Sequence, residues 1–152
     1  MCRSPQLLRF AAHLALVLEA QRPSLALEDR TLDAIHDVVC AYVEHLARTQ
    51  QVRLVAIYAA TLPTRRRRDL YAGFLRSVEG EENRREALEQ AEKHMGGDLA
   101  AILKKVVEDV RRHTPSVAPR APMQVPEGDL KKIGAMSWLL DHPGARAEAM
   151  AQ

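Results

Sequence analysis

From Pro5 to His113 apolar side chains return every three or four residues, and nowhere do apolar and polar residues alternate as a half-buried strand requires. A chain patterned this way buries its apolar atoms by packing helix on helix. Composition agrees: 47% of residues are hydrophobic but only 4% aromatic, so the apolar content is mostly Ala, Leu and Val. Ala and Leu head the helix scale, whereas sheets favour aromatic and β-branched residues. The expected fold class is all-α. At 152 residues the chain forms one domain-sized unit, which buries roughly 70% of its unfolded surface without needing disulfide or metal staples.

The periodicity divides the chain into about eight helices. The first runs from Ser4-Pro5 to Gln21, with Ser4 as N-cap and Pro5 at the first helical position. Leu7, Phe10, Ala11, Leu14, Val17 and Leu18 share one face, Leu8 and Leu16 widen the arc, and Pro23 closes the helix. The second spans Leu27 to Thr49, with Leu32, Ile35, Val39, Tyr42, Val43 and Leu46 inward and Asp33, Asp37, Glu44 and Arg48 outward. A short apolar third covers Val52 to Leu62 before Pro63. The fourth is Arg65 to Val78, with Leu70, Tyr71, Phe74 and Leu75 inward. The fifth is Glu81 to Met95, acidic in its first turn and followed by Gly96-Gly97 as a C-terminal stop. Asp98 then caps a sixth to His113, with Leu99, Ile102, Leu103, Val106, Val107 and Val110 on one stripe.

Residues 114–128 hold Pro115, Pro119, Pro122 and Pro126 and read as an extended loop. A seventh helix, Asp129 to Leu140, carries Ile133, Met136, Leu139 and Leu140, and an eighth begins near Gly144 and is cut by the chain end. The expected organisation is therefore a helical segment 1–113, a Pro-rich loop 114–128, and a helical continuation 129–152 truncated at its C-terminal end. Short helices with short connections pack as antiparallel neighbours. Unequal helix lengths and the lack of a sustained heptad favour an open α-solenoid-like stack over a closed bundle. No fixed period supports a tetratricopeptide or ankyrin array. The unfinished eighth helix reads as a piece of something longer, and uncovered Leu139 and Leu140 would make such a piece self-associate.

Charge is nearly balanced, 22 basic against 20 acidic residues, and does not by itself call for a nucleic-acid or anionic-membrane partner. Two cysteines, Cys2 and Cys40, do not make a disulfide framework and suit a reducing compartment. The longest apolar run, around Phe10 to Leu18, is interrupted by His13 and is shorter than the roughly 20 residues a membrane span needs. Arg3 and Arg9 before that run faintly imitate a secretory leader, but no small-residue cleavage site follows where one belongs.

Chemistry-bearing residues are sparse. His36 and Cys40 share a helix face with His45 just beyond, the best metal-like spacing available, yet no second Cys/His pair accompanies them. A small buried thiol beside a partly exposed His explains them better. His13, His94, His113 and His142 stand singly. Ser24, Ser77, Ser116 and Ser137 lack a nucleophile-elbow context. The pairs Glu28-Asp29, Glu81-Glu82 and Glu108-Asp109 sit near helix ends, where solvation and the helix dipole account for them. Gly96-Gly97 lacks the Lys and preceding strand of a phosphate loop. The reading is non-enzymatic, with no catalytic, cofactor-binding or metal residues, no cofactor and no small-molecule substrate. Arg65-Arg66-Arg67-Arg68 is the sharpest charge feature. A solvated first helical turn is expected there rather than a nucleic-acid contact, since no aromatic platform adjoins it.

Several stretches in order resemble the helical middle of the nucleoporin 107/84 family: residues 8–18, 42–46, 54–63, 71–75, 83–88, 99–107 and 137–150. The most specific are Leu54-Val-Ala-Ile-Tyr-Ala-Ala-Thr-Leu-Pro63 and Trp138-Leu-Leu-Asp-His-Pro-Gly-Ala-Arg-Ala-Glu-Ala-Met150. Two features depart from the family's pattern: His94-Met-Gly-Gly-Asp98, where a more apolar helix joint belongs, and the long arginine run. The resemblance implies a structural scaffold of the nuclear pore complex, in the Y-shaped outer-ring assembly at the nuclear envelope. It implies two neighbours, a 96/145C-type and a 133-type nucleoporin, bound mainly through regions outside this stretch, which lies just before the 133-binding tail. It implies no catalytic site, no direct nucleic-acid contact and only indirect contact with the membrane. Two other readings of the residues stay open. One is a generic helical-repeat adaptor with a partner-binding groove. The other is a small nucleic-acid-binding module using Arg65 to Arg68 with Arg84, Arg85, Lys104 and Lys105.

Overall fold

The computed structural model describes residues 4–113 together with Leu130, Ile133 and Gly134. Six helices lie within 4–113: α1 (Pro5–Ala20), α2 (Arg22–Leu25), α3 (Asp29–Arg48), α4 (Val52–Ala60), α5 (Thr64–Ser77) and α6 (Glu81–His113). Among the described residues there is no strand. The expected Pro-rich loop and eighth helix lie outside the described residues, as does the seventh apart from Leu130, Ile133 and Gly134, which are helical.

Three differences from the expected helix count have local causes. Pro23 does not merely stop α1; it sits in the first turn of the separate helix α2, where a residue without an N–H costs no hydrogen bond. Ala26 then takes a left-handed conformation, φ 44°, and turns the chain into α3. The expected fifth and sixth helices run on as α6, broken at Met95, whose φ of −141° is not helical. Gly96 and Gly97 therefore lie within the run instead of terminating it, and Asp98 is inside a helix rather than capping one. At the remaining sharp turn Gly80, φ +83°, joins α5 to α6 in a conformation that side-chain-bearing residues rarely adopt.

The α3 stripe falls as the periodicity predicts: Leu32, Ile35, Val39, Tyr42, Val43 and Leu46 are all buried. So are Tyr71, Phe74 and Leu75 of α5 and Leu99, Ile102, Leu103 and Val106 of α6. Packing runs in sequence order, α1 on α3, α3 on α4, and α4 and α5 on α6. The α1 face is the exception. Its buried residues are Ala12 and Ala15, with Leu8, Leu16 and Leu18 at the edges of the contact. The expected inward residues Leu7, Phe10, Leu14 and Val17 point outward and are 48–64% exposed. The reason is geometric: α1 meets essentially one long neighbour, α3, and its small residues let the two backbones approach closely, so only one side of an apolar-all-round helix is covered.

Candidate interaction surfaces

The arginine run does not form the solvated turn expected of it. Its first member, Arg65, is exposed, but the next three reach three different elements. Arg66 spans to α3, donating to Asp33 Oδ1 at 2.9 Å and to Asp37. Arg67 donates to the Ala60 carbonyl at the end of α4 (3.1 Å), to Thr64 Oγ1 (3.2 Å) and to Asp98. Arg68 places Nε and Nη2 on Asp98 Oδ1 at 2.9 and 2.6 Å. The run is thus a junction that ties α3, α4 and the kink of α6 to the first turns of α5. Asp98 is its centre, with a side chain only 11% exposed. Burial pushes its carboxyl pKa up, but the Arg68 hydrogen bond and the charges of Arg67 and Arg68 outweigh that and hold it below the ordinary carboxylate value. The signal sequence reasoning missed was positional: an Asp directly after a Gly-Gly in an apolar stripe is a buried-charge candidate as well as a cap.

The same test disperses the other candidates. His36 Nε2 faces Glu19 Oε2 at 3.7 Å across the α1–α3 contact. Cys40 is half-buried beside Arg66; burial raises its thiol pKa, against the hydrogen bond and charge of Arg66. His45 stacks on Tyr42 with ring centroids 6.5 Å apart. The three are engaged separately, and no cluster of His, Cys, Asp or Glu suited to a metal occurs among the described residues. His13 hydrogen-bonds the Tyr58 hydroxyl at 2.6 Å and lies edge-on to Tyr42, which joins α1 to α3 and α4. Tyr71 donates to the Ala87 carbonyl at 2.8 Å, and burial pushes its hydroxyl pKa far up. Of the remaining basic residues, Lys105 pairs with Asp69 at 3.0 Å and Arg85 stands 3.8 Å from Glu89, so few of these cations stand ready for a phosphate backbone.

Two surfaces remain that could meet a partner. One is the outward apolar stripe of α1. The other is an open groove of about 390 Å³ between α3 and α5, floored by Val43, Ala47, Leu70 and Phe74 and rimmed by Glu44, Arg48 and Asp69. Gly73 lines it, and nothing stands within 4 Å of where its Cβ would be. Because glycine inside a helix costs about 1 kcal/mol relative to alanine, Gly73→Ala is expected to raise the thermal midpoint by about 2–4 °C. A fall in the midpoint on differential scanning would show that the groove is narrower than this geometry gives.

Comparison with known proteins bears on what such surfaces serve. A family model described as nuclear pore protein 84 / 107 matches residues 1–152. The human nuclear pore complex protein Nup107 is 35% identical over 152 residues, covering 96% of this chain and 16% of the relative. Its Drosophila melanogaster counterpart is 32% identical over 153 residues, 99% of this chain and 17% of the relative. Nucleoporin nup107 of Schizosaccharomyces pombe is 35% identical over 117 residues, 76% of this chain and 14% of the relative. The chain therefore spans about a sixth of the length of the relatives it matches.

Proposed function

We propose, from the premise that this chain belongs to the nuclear pore protein 84 / 107 family, that it is a scaffold segment of the nuclear pore complex at the nuclear envelope. The observation that carries the proposal is the family match along all of residues 1–152, joined to a fold made of helices that pack in chain order. Sequential packing is the contact pattern of a solenoid, in which each helix pair buries its stripe on the next and the outer faces serve partners. The helices are also cross-tied: the Arg66, Arg67 and Arg68 pairs fix three neighbouring elements to α5. Such a unit transmits position rather than performing chemistry, and we read it as non-enzymatic. Its partners are other nucleoporins, in the outer-ring Y-shaped assembly a 96/145C-type and a 133-type neighbour, held mainly through parts of the protein outside this segment. In that setting it supports mRNA and protein transport through pore assembly.

The test is affinity capture of the tagged full-length protein from nuclear-envelope extract, with mass spectrometry. Recovery of the other Y-assembly nucleoporins in near-equal amounts is the expected result; their absence would overturn the scaffold reading. A second reading, a helical adaptor that seats a partner helix, has the α3–α5 groove in its favour. Capture of one dominant soluble partner, lost on filling the groove with Gly73→Trp, would support it.

A further inference from the structure

The outward stripe of α1 has a property that its exposure alone does not convey. Leu7, Phe10, Leu14 and Val17 are spaced three, four and three residues apart, so the stripe is symmetric about Ala12. They are 56, 64, 48 and 57% exposed, all on one side of one helix. Between Pro5 and Leu18 the single residue charged at neutral pH is Arg9. A symmetric, nearly uncharged apolar stripe is what an isologous twofold contact requires, because each copy must present the same surface to the other.

We propose that this stripe is a docking surface for a second copy of the chain, with two α1 helices packed antiparallel about a twofold axis near Ala12. In that arrangement Leu7 meets the second copy's Val17 and Phe10 meets the second copy's Leu14, twice over. Each Arg9 falls opposite Ala15 of the other copy, and the two arginines stand about 9 Å apart along the axis, a separation at which salt screens most of their repulsion. A parallel pairing would set Arg9 against Arg9 and Phe10 against Phe10, and the 3-4-3 symmetry would serve no purpose. The seam is about 15 Å long and its area falls short of the roughly 800 Å² per partner of a standard stable interface. The contact is therefore weak and reversible, with a dissociation constant in the micromolar range or above. The proposal does not depend on the pore reading.

The experiment is sedimentation equilibrium of the 152-residue chain across about 1–500 µM, a range that brackets such a constant. The native chain is expected to shift from monomer toward dimer as concentration rises. Phe10→Glu and, separately, Leu14→Lys are each expected to weaken dimerisation at least about tenfold. Because the residues are exposed, circular dichroism and the melting midpoint should stay near native; Val17→Lys is a third seam variant should either single change disturb folding. The double variant Phe10→Glu, Leu14→Lys places opposite charges across the antiparallel seam and is expected to recover dimerisation to within a few-fold of native. A chain that is monomeric throughout, or one whose association ignores the seam variants, overturns the proposal. Failure of the double variant to recover overturns the antiparallel arrangement.

Discussion

Asp98→Ala is expected to remove about 3 kcal/mol of stability, the scale seen when one partner of a buried ion pair is deleted. The change strands Arg67 and Arg68, whose side chains are 20 and 39% exposed and so recover part of their hydration; the upper end of the range is not expected. For a domain of this size the melting midpoint should fall by about 6–12 °C. Its pH dependence has a definite sign. The Asp98 carboxyl is held below its ordinary 3.8 in the folded chain. The stability it contributes is therefore complete above that value and is lost as pH falls through the lower folded value. Denaturant titrations of the native chain and of Asp98→Asn should differ most at pH 7 and converge in strong acid. A gap that stays constant down to pH 2 would mean that the carboxylate charge is not what the arginines hold.

The second large effect is expected at Leu103→Ala. Leu103 is fully buried on α6, in the layer shared with α4 and α5, and truncation leaves a cavity bounded by helices that cannot collapse freely. A loss of about 3–4 kcal/mol follows from core Leu→Ala series. The informative control is Leu14→Ala, the same chemistry at a residue 48% exposed, which should cost less than about 1 kcal/mol. Similar losses at both sites, measured by denaturant unfolding, would mean that α1 is buried on its outer side too.

Those two leucines mark where reading the chain succeeds and where it stops. On α3 and α5 the apolar residues occupy one arc and the charged residues the other, so periodicity alone identifies the buried side. On α1 leucines and valines occur all round, while the residues that pack against α3 are alanines, which periodicity weights least. A hydrophobic scale ranks side chains by what they gain from burial; closeness of approach depends on what they leave out. The arginine run misled for a related reason. Four consecutive arginines point in four directions from a helix, and whether each meets water or a carboxylate depends on which helices stand there. The carboxylates that Arg66 meets lie 29 and 33 residues earlier, and Asp98 lies 30 after Arg68. The candidate site was legible only as a cluster of charge; its role as a junction was not.

What the sequence determined by itself is the class of element, most of the helix limits and the family, because helix periodicity, Pro and Gly punctuation and residue-by-residue likeness are all local or linear quantities. The tertiary structure alone decided which face of α1 is left uncovered, that α6 continues through Gly96-Gly97, and that Arg66 to Arg68 are spent holding helices together. Each of these turns on a second element brought from 20 to 40 residues away. Burial and ion pairing are properties of the pair, and no single stretch of chain contains them.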